Sequence, residues 1–305
     1  MKRWVGTILG LYGLFAVAGS WPLRAGPPND SIARLPDRPG LIRLLRISPR
    51  ILSGAEPKSE AAFAEIRKLG VEIIVSVDAS RPQIELARRH GLRYVHIPIG
   101  YDRIERDAAE SLQRVIEEAT GRVYFHCHHG RQRGPAAAAI AHVAAGAPAG
   151  KAALRVLRAA GTSRRYAGLW RDVEAFRPTP SAGGSADWPK LVEEATIDSL
   201  PAAMARADRA LEELETLRAA SWSAPADHPE LNPELSIRVL SETLDELRKQ
   251  TDSHDKLIAE KMSRASRSIS RLSAALKASD KQLATNRLAA VKASCVDCHE
   301  QYRNR

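Results

Sequence analysis

Residues 122–134, RVYFHCHHGRQRG, constrain this chain more than any other stretch. Val123 to Phe125 read as a short buried strand, and residues 135–145 as a helix, so the residues between must form a loop at the junction. Cys127 ends the strand, and Arg133 follows after five intervening residues. A loop of this length can turn its N–H groups inward around one anion, and the helix N-terminus adds partial positive charge at the same point. Gly130 and Gly134 are expected to take backbone angles that a Cβ resists. Pro135 fits the first helical turn, where its missing N–H costs nothing. Arg133 can then hold two phosphate oxygens with its planar fork. Such donors suit a phosphoryl group, whose three equatorial oxygens share the negative charge during transfer.

His126, Cys127 and Arg133, in the pattern Cys-x5-Arg, resemble the phosphate-binding loop of the dual-specificity and protein-tyrosine phosphatase superfamily. The resemblance implies a thiolate nucleophile at Cys127, phosphate binding by Arg133, and a loop built from His128, His129, Gly130, Arg131 and Gln132. It also implies that His126 supports the loop through hydrogen bonds. His128 and His129 fall where the family varies and are expected at the pocket mouth. A rhodanese-type sulfur carrier also places a cysteine on an anion-binding loop, and three neighbouring histidines can suggest a metal site. The phosphatase-type loop fits the strand–loop–helix context better, and no metal is expected there. One position departs from the family, which commonly has Ser or Thr directly after the arginine to help the thiolate leave. Here it is Gly134, so slow hydrolysis of a cysteinyl-phosphate is expected.

Strand and helix patterns alternate from Ile42 onward. Strands are expected at 51–54, 71–77 and 92–97, and helices after Ser59, at 82–90, 107–119, 150–160 and 164–176. This alternation argues a mainly parallel sheet flanked by helices. The order of Ser53-Gly54-Ala55-Glu56-Pro57, Leu69-Gly70-Val71 and the cysteine loop is similar to that in compact bacterial dual-specificity phosphatases, over residues 42–177. Such enzymes protonate the leaving oxygen with an upstream aspartic acid. Asp102 follows a strand and a Pro-Ile-Gly-Tyr turn and is the chosen candidate. Asp107 reads as a helix N-cap with Glu110 returning to it. Asp78 follows a different strand and reads as structural, although it can face the pocket.

Residues 178–187, PTPSAGGSAD, cannot pack a core and read as a linker. Beyond it, at 188–305, every pattern is helical. Stripes at helical spacing run through Leu200, Met204, Ala207, Leu211, Leu214 and Leu217; through Leu235, Val239, Leu240, Leu244 and Leu247; through Leu257, Ile258, Met262, Ile269, Leu272 and Leu276; and through Leu288, Val291, Cys295, Cys298 and Tyr302. Four amphipathic helices argue an all-α four-helix bundle. The last carries Cys295-Val-Asp-Cys298-His299, the attachment signature of c-type haem. Residues three and four apart share a helix face, so two thiols can form thioethers while His299 serves as proximal iron ligand. A zinc half-site needs further ligands that are not nearby in the sequence, and a thioredoxin-like redox pair needs a βαβ setting. Near the C-terminus this stretch is similar to cytochrome c′, which implies one covalently attached haem c. Met204, Met262 and His254 are able to supply a sixth ligand, but no distal protein ligand is expected.

Lys2 and Arg3 precede an uncharged run to Leu23, the form of a secretory signal, with small residues at Ala18-Gly19-Ser20. Residues 1–25 are therefore expected to be a signal peptide or a membrane anchor, with 26–41 as linker, and the protein to be periplasmic or exported. Three cysteines divide into a haem pair and one thiol, leaving none for a structural disulfide. The net charge of +10 favours anionic partners such as a phosphorylated protein or a small phosphomonoester. A redox partner is a further expectation. There is no recognition motif or basic tail for nucleic acid, which is not an expected partner. Two readings follow: an exported cysteine-dependent phosphatase fused to a cytochrome module, or an electron-transfer or gas-binding cytochrome whose first domain only binds a phosphorylated ligand. A link between haem state and phosphatase rate is motivated by the fusion alone.

Overall fold

The computed structural model describes residues 32–179, 188–197, 199–226, 228–229, 231–251 and 256–302. The segment 1–25, the linker at 180–187 and His254 lie outside the described residues. No helix among the described residues is long and apolar enough to cross a membrane.

The first region is built on a six-stranded mixed sheet: β1 (Ala33–Arg34), β2 (Leu45–Arg46), β3 (Ile51–Ala55), β4 (Val71–Ser76), β5 (Arg93–His96) and β6 (Arg122–Cys127), in the order β1-β2-β3-β6-β4-β5. β3, β6, β4 and β5 run parallel, while β1 and β2 add antiparallel at one edge. The expected linker at 26–41 is thus partly sheet, because Ala33 and Arg34 pair with Arg46 and Leu45. A two-residue strand is too short to show a period, which is why the sequence pattern misses it.

β6 lies at the centre and is buried from Val123 to Cys127. Its side chains alternate between faces. Val123, Phe125 and Cys127 enter a core covered by α3 (Arg106–Glu118), α4 (Arg133–Ala144), α5 (Leu154–Ala160) and α6 (Ala167–Ala175). Tyr124 enters the opposite core, beneath α1 (Glu60–Lys68) and α2 (Ile84–Arg89). Ser59 caps α1 by accepting from the Ala62 amide, which fixes where that helix starts. The expected cap at Asp107 is not formed. α3 begins one residue earlier with Glu105 at the cap position, and Glu110 pairs with Arg106 at 2.8 Å. Asp107 is instead a first-turn acid, placed to meet the positive end of the helix dipole.

The second region is helical: α7 (Ser199–Ala219), α8 (Pro233–Thr251), α9 (Lys256–Lys277) and α10 (Lys281–Tyr302). α7 packs on α8, α8 on α9, α9 on α10, and α10 touches α7 again. Leu214, Leu217, Leu240, Leu247, Ile269, Leu272, Leu288 and Val291 share one buried core. Leu200, Leu235 and Leu257 were expected in the stripes but are 45–50% exposed. Each lies in the first turn or two of its helix, beyond the reach of the core, so periodicity alone overcounts there.

Phe125 is fully buried at the centre of the main core. Phe125→Ala should cost about 3–5 kcal/mol, read as a fall in the urea midpoint of the α/β region; a loss below 1 kcal/mol would contradict this packing.

Candidate functional site

Cys127 is the last residue of β6, and Arg133 is the first helical residue of α4, so the turn from strand to helix fills residues 128–132. The loop lies at the C-terminal end of a central parallel strand, where open α/β sheets bind ligands. Cys127 is 3% exposed and Arg133 is 7% exposed. Carbonyl groups of the loop are bound from outside. Glu56 N–H donates to His128 O at 3.3 Å, Arg43 to His129 O at 2.8 Å, and Thr162 to Arg131 O at 2.8 Å. Fixing carbonyls outward leaves amides for the concave side. The amides of His129, Arg131 and Gln132 have no protein acceptor among the described residues.

The two glycines do different jobs. Gly130 has φ of +63°, and a Cβ there would come within 2.3 Å of Ala55 N, so β3 and the loop can approach only at glycine. Gly134 does not take a positive φ, contrary to expectation. A Cβ on it would sit 3.0 Å from Cys127 N and 3.1 Å from the His126 carbonyl carbon, so tight packing accounts for glycine there.

Asp78 is the residue that sequence reasoning undervalued. It is 2% exposed and accepts from Arg133 Nη2 and from the His128 amide, both at 2.8 Å, through Oδ2. Its Oδ1 accepts from the Ser80 amide at 3.2 Å and the Ser80 hydroxyl at 3.1 Å. Burial opposes its ionisation, but the Arg133 charge and the His128 amide outweigh that and hold the carboxyl well below the usual range. Arg133 is correspondingly pushed up, against its own burial, by Asp78. A carboxylate so paired with Arg133 is suited to orienting the arginine rather than to proton donation. Tyr101 covers the other side of Arg133, with the guanidinium carbon 4.4 Å from its ring centroid. That contact brings the 100–102 turn to the loop. The Asp102 carboxylate itself is 46% exposed and pairs with Arg103 at 3.2 Å.

The three histidines separate. His126 is buried on the opposite face, with Nε2 2.6 Å from Tyr94 Oη and Nδ1 without a hydrogen-bond partner, so among the described residues its ring makes no hydrogen bond to the loop. Burial pushes it down to about 4. His128 is not at a pocket mouth but is 6% exposed. Its Nδ1 lies 3.2 Å from Glu56 and its Nε2 lies 3.0 Å from Glu212. Burial disfavours its charge, but Glu212 and Glu56 raise it to about 9. His129 is exposed, with its ring centroid 4.4 Å from that of His128. Gln132 accepts from the Ser163 amide at 2.9 Å, and Arg131 contributes its carbonyl to Thr162.

Glu212 belongs to α7, and so does Arg209, which donates to Glu56 at 2.5 Å and to Ser80 at 3.1 Å. One helix of the second region therefore touches the supports of the loop. Residues 128, 56, 80, 209 and 212 span 156 positions of chain, and no local spacing could have grouped them. Another face of α7, with Met204, Ala207 and Leu211, lines a mainly apolar cleft that Cys295, Cys298 and His299 border. On α10 the two thiols stand three residues apart with the imidazole next to the second, a donor set suited to a largely apolar group tethered through sulfur. Burial, with Cys298 beside it, pushes the Cys295 thiol up to about 11, so the thiol is neutral near pH 7.

No family model matches the chain, and no curated protein matches it. Among solved structures, the chain is similar to P. aeruginosa TpbA in complex with phosphotyrosine, at 23% identity and a TM-score of 0.39, over 44% of this chain and 84% of that one. It is similar to a DUF442 protein of Shewanella putrefaciens at 18% identity and a TM-score of 0.37, covering 46% and 91%. A human DUSP28 variant matches at 17% identity and a TM-score of 0.33, covering 43% and 93%. In each case the likeness spans under half of this chain.

The raised His128 value fixes a pH window. Its pairing stabilises fully below its ordinary value near 6.5 and is lost as pH rises through about 9. In metal-free buffer the melting temperature should fall between pH 7 and pH 10, and His128→Asn should flatten that slope; an unchanged slope would exclude the charged pairing.

Proposed function

We propose that this protein is a cysteine-dependent phosphomonoester hydrolase of the tyrosine/dual-specificity type, joined to a c-type cytochrome module of the cytochrome c′ kind. The observation that carries the first half is the loop itself: a strand-end cysteine and a helix-start arginine, both buried, joined by residues whose carbonyls are bound outward. In this reading the amides and the Arg133 fork bind the phosphoryl oxygens. Cys127 Sγ attacks phosphorus and the phosphorus–oxygen bond to the leaving group breaks. Asp102 gives that oxygen its proton, and water then cleaves the phosphorus–sulfur bond. Asp78 keeps Arg133 aimed throughout. Gly134 offers no hydroxyl to the departing thiolate, so the second step is the slow one.

Haem c is the proposed cofactor of the helical region; bound there it would supply one-electron exchange or binding of a small ligand. Cys295 and Cys298 would hold it through thioethers and His299 would ligate the metal, in the cleft that Met204 and Leu211 also line. The apolar cleft at these three residues supports the assignment. Export, cleaved or anchored through residues 1–25, belongs to the same reading, since covalent haem attachment occurs outside the bacterial cytoplasm. Phosphorylated proteins and small phosphomonoesters are the proposed substrates, and a redox partner would serve the haem.

A second reading has its own observation. Arg133 is held by Asp78, and Asp102 is tied to exposed Arg103. Such a site could bind a phosphorylated ligand without turning it over, leaving the cytochrome as the active part.

Purified protein should hydrolyse para-nitrophenyl phosphate over many turnovers. Cys127→Ser should abolish this, and Asp102→Asn should lower kcat by about 10²-fold or more. Release of at most one equivalent of product would favour the binding-only reading. Protein exported with its haem-attachment machinery should gain the mass of one haem, and Cys295→Ala with Cys298→Ala should not; equal masses would remove the cytochrome assignment.

A further inference from the structure

We propose that His128, His129 and Glu212 form a binding site for one divalent transition-metal ion of the zinc class, a clip between the cysteine loop and α7. The inference does not depend on the hydrolase reading. Candidate ligand atoms of these three residues all lie within 4.8 Å of one another, close enough to converge on a single ion. Imidazole nitrogen and carboxylate oxygen are the donor types that zinc accepts, and three such donors leave a position for water.

The support around His128 is what distinguishes this cluster from a chance group of surface polar residues. Glu56, 3% exposed, faces Nδ1 at 3.2 Å. Its carboxylate can accept a hydrogen bond from Nδ1–H, which leaves Nε2 as the donor atom toward an ion, the arrangement found behind metal-bound histidines. Nε2 is buried and faces Glu212 Oε2 at 3.0 Å as an ion-pair neighbour, without hydrogen-bond alignment. An ion placed between the two atoms would satisfy both. The adjacent ring, His129, stands edge-on to His128 with centroids 4.4 Å apart, which brings a second imidazole to the same point.

The cations nearby define the competition. Lys58 Nζ holds Glu212 at 2.6 Å, Arg209 holds Glu56, and Arg43 reaches the His129 carbonyl. Lys58, whose side chain is 44% exposed, can swing into solvent and release the Glu212 carboxylate to an ion. The ion would join residues 128 and 129 to residue 212, locking α7 onto the loop. His126 takes no part, because its ring lies on the other face of β6.

The test is calorimetric titration of the full-length, chelator-dialysed protein with zinc chloride, with zinc and iron counted separately by mass spectrometry. One zinc should bind per chain. Glu212→Gln and His129→Ala should each weaken binding at least 100-fold, and Glu56→Gln by about 10–100-fold. Zinc should raise the melting temperature of the wild type but not of Glu212→Gln at equal helical content, which separates ligation from misfolding. Cys127→Ser and the Cys295→Ala, Cys298→Ala double variant should bind as the wild type does. The proposal is overturned by absence of zinc binding in the wild type, by equal affinity in Glu212→Gln, or by loss of binding in the cysteine variants alone.

Discussion

The site depends on one buried ion pair, Asp78 with Arg133, 2.8 Å apart and both at 7% exposure or less. Taking either charge out of water alone would cost several kcal/mol. Together they balance, and the remaining lone pairs of Asp78 are filled by the His128 amide and by Ser80. The pair fixes the arginine at the start of α4 and the first amide after Cys127 at the same time. Loop shape and arginine direction are thus set by a single carboxylate that sits outside the loop, at the end of β4.

The network does not stop there. Ser80 and Glu56 pass it to Arg209, and His128 passes it to Glu212, so α7 closes the ring from the second region. The charges alternate along this path, and each buried group has an opposite neighbour, which is what lets so many ionised side chains share an interior. α7 meets this network with Arg209 and Glu212 and meets the cleft beside the cysteines of α10 with Met204, Ala207 and Leu211. These residues interleave along a little over two turns of the helix, so α7 borders both sites.

Much of this was legible in the chain. The β6–α4 junction was readable because its chemistry is local: Cys127, Gly130, Arg133 and Pro135 lie within nine positions. The helices of the second region were readable because their apolar residues recur at a fixed period. Glu56, Asp78 and Glu212 were not, because a carboxylate's role depends on which distant group it meets. Burial decided the histidines. His126, His128 and His129 are consecutive or nearly so, yet the pleat sends His126 to one core, while the loop turns His128 inward toward α7 and leaves His129 outside. The antiparallel edge and the start of α3 were misjudged because two-residue strands and single cap positions carry too little pattern.

By itself the sequence determined the parts that rest on neighbours in the chain: the Cys-x5-Arg loop between strand and helix, the alternation that makes a largely parallel sheet, the helical stripes, and the Cys-x-x-Cys-His spacing on the last of them. Only the tertiary structure decided which carboxylates hold Arg133 and His128, that close packing rather than a positive φ is what a glycine meets at Gly134, and that α7 reaches from one site to the other. The reason is physical: backbone geometry and periodicity act over a few residues, whereas electrostatic pairing and burial act through space and are set only when the chain has folded.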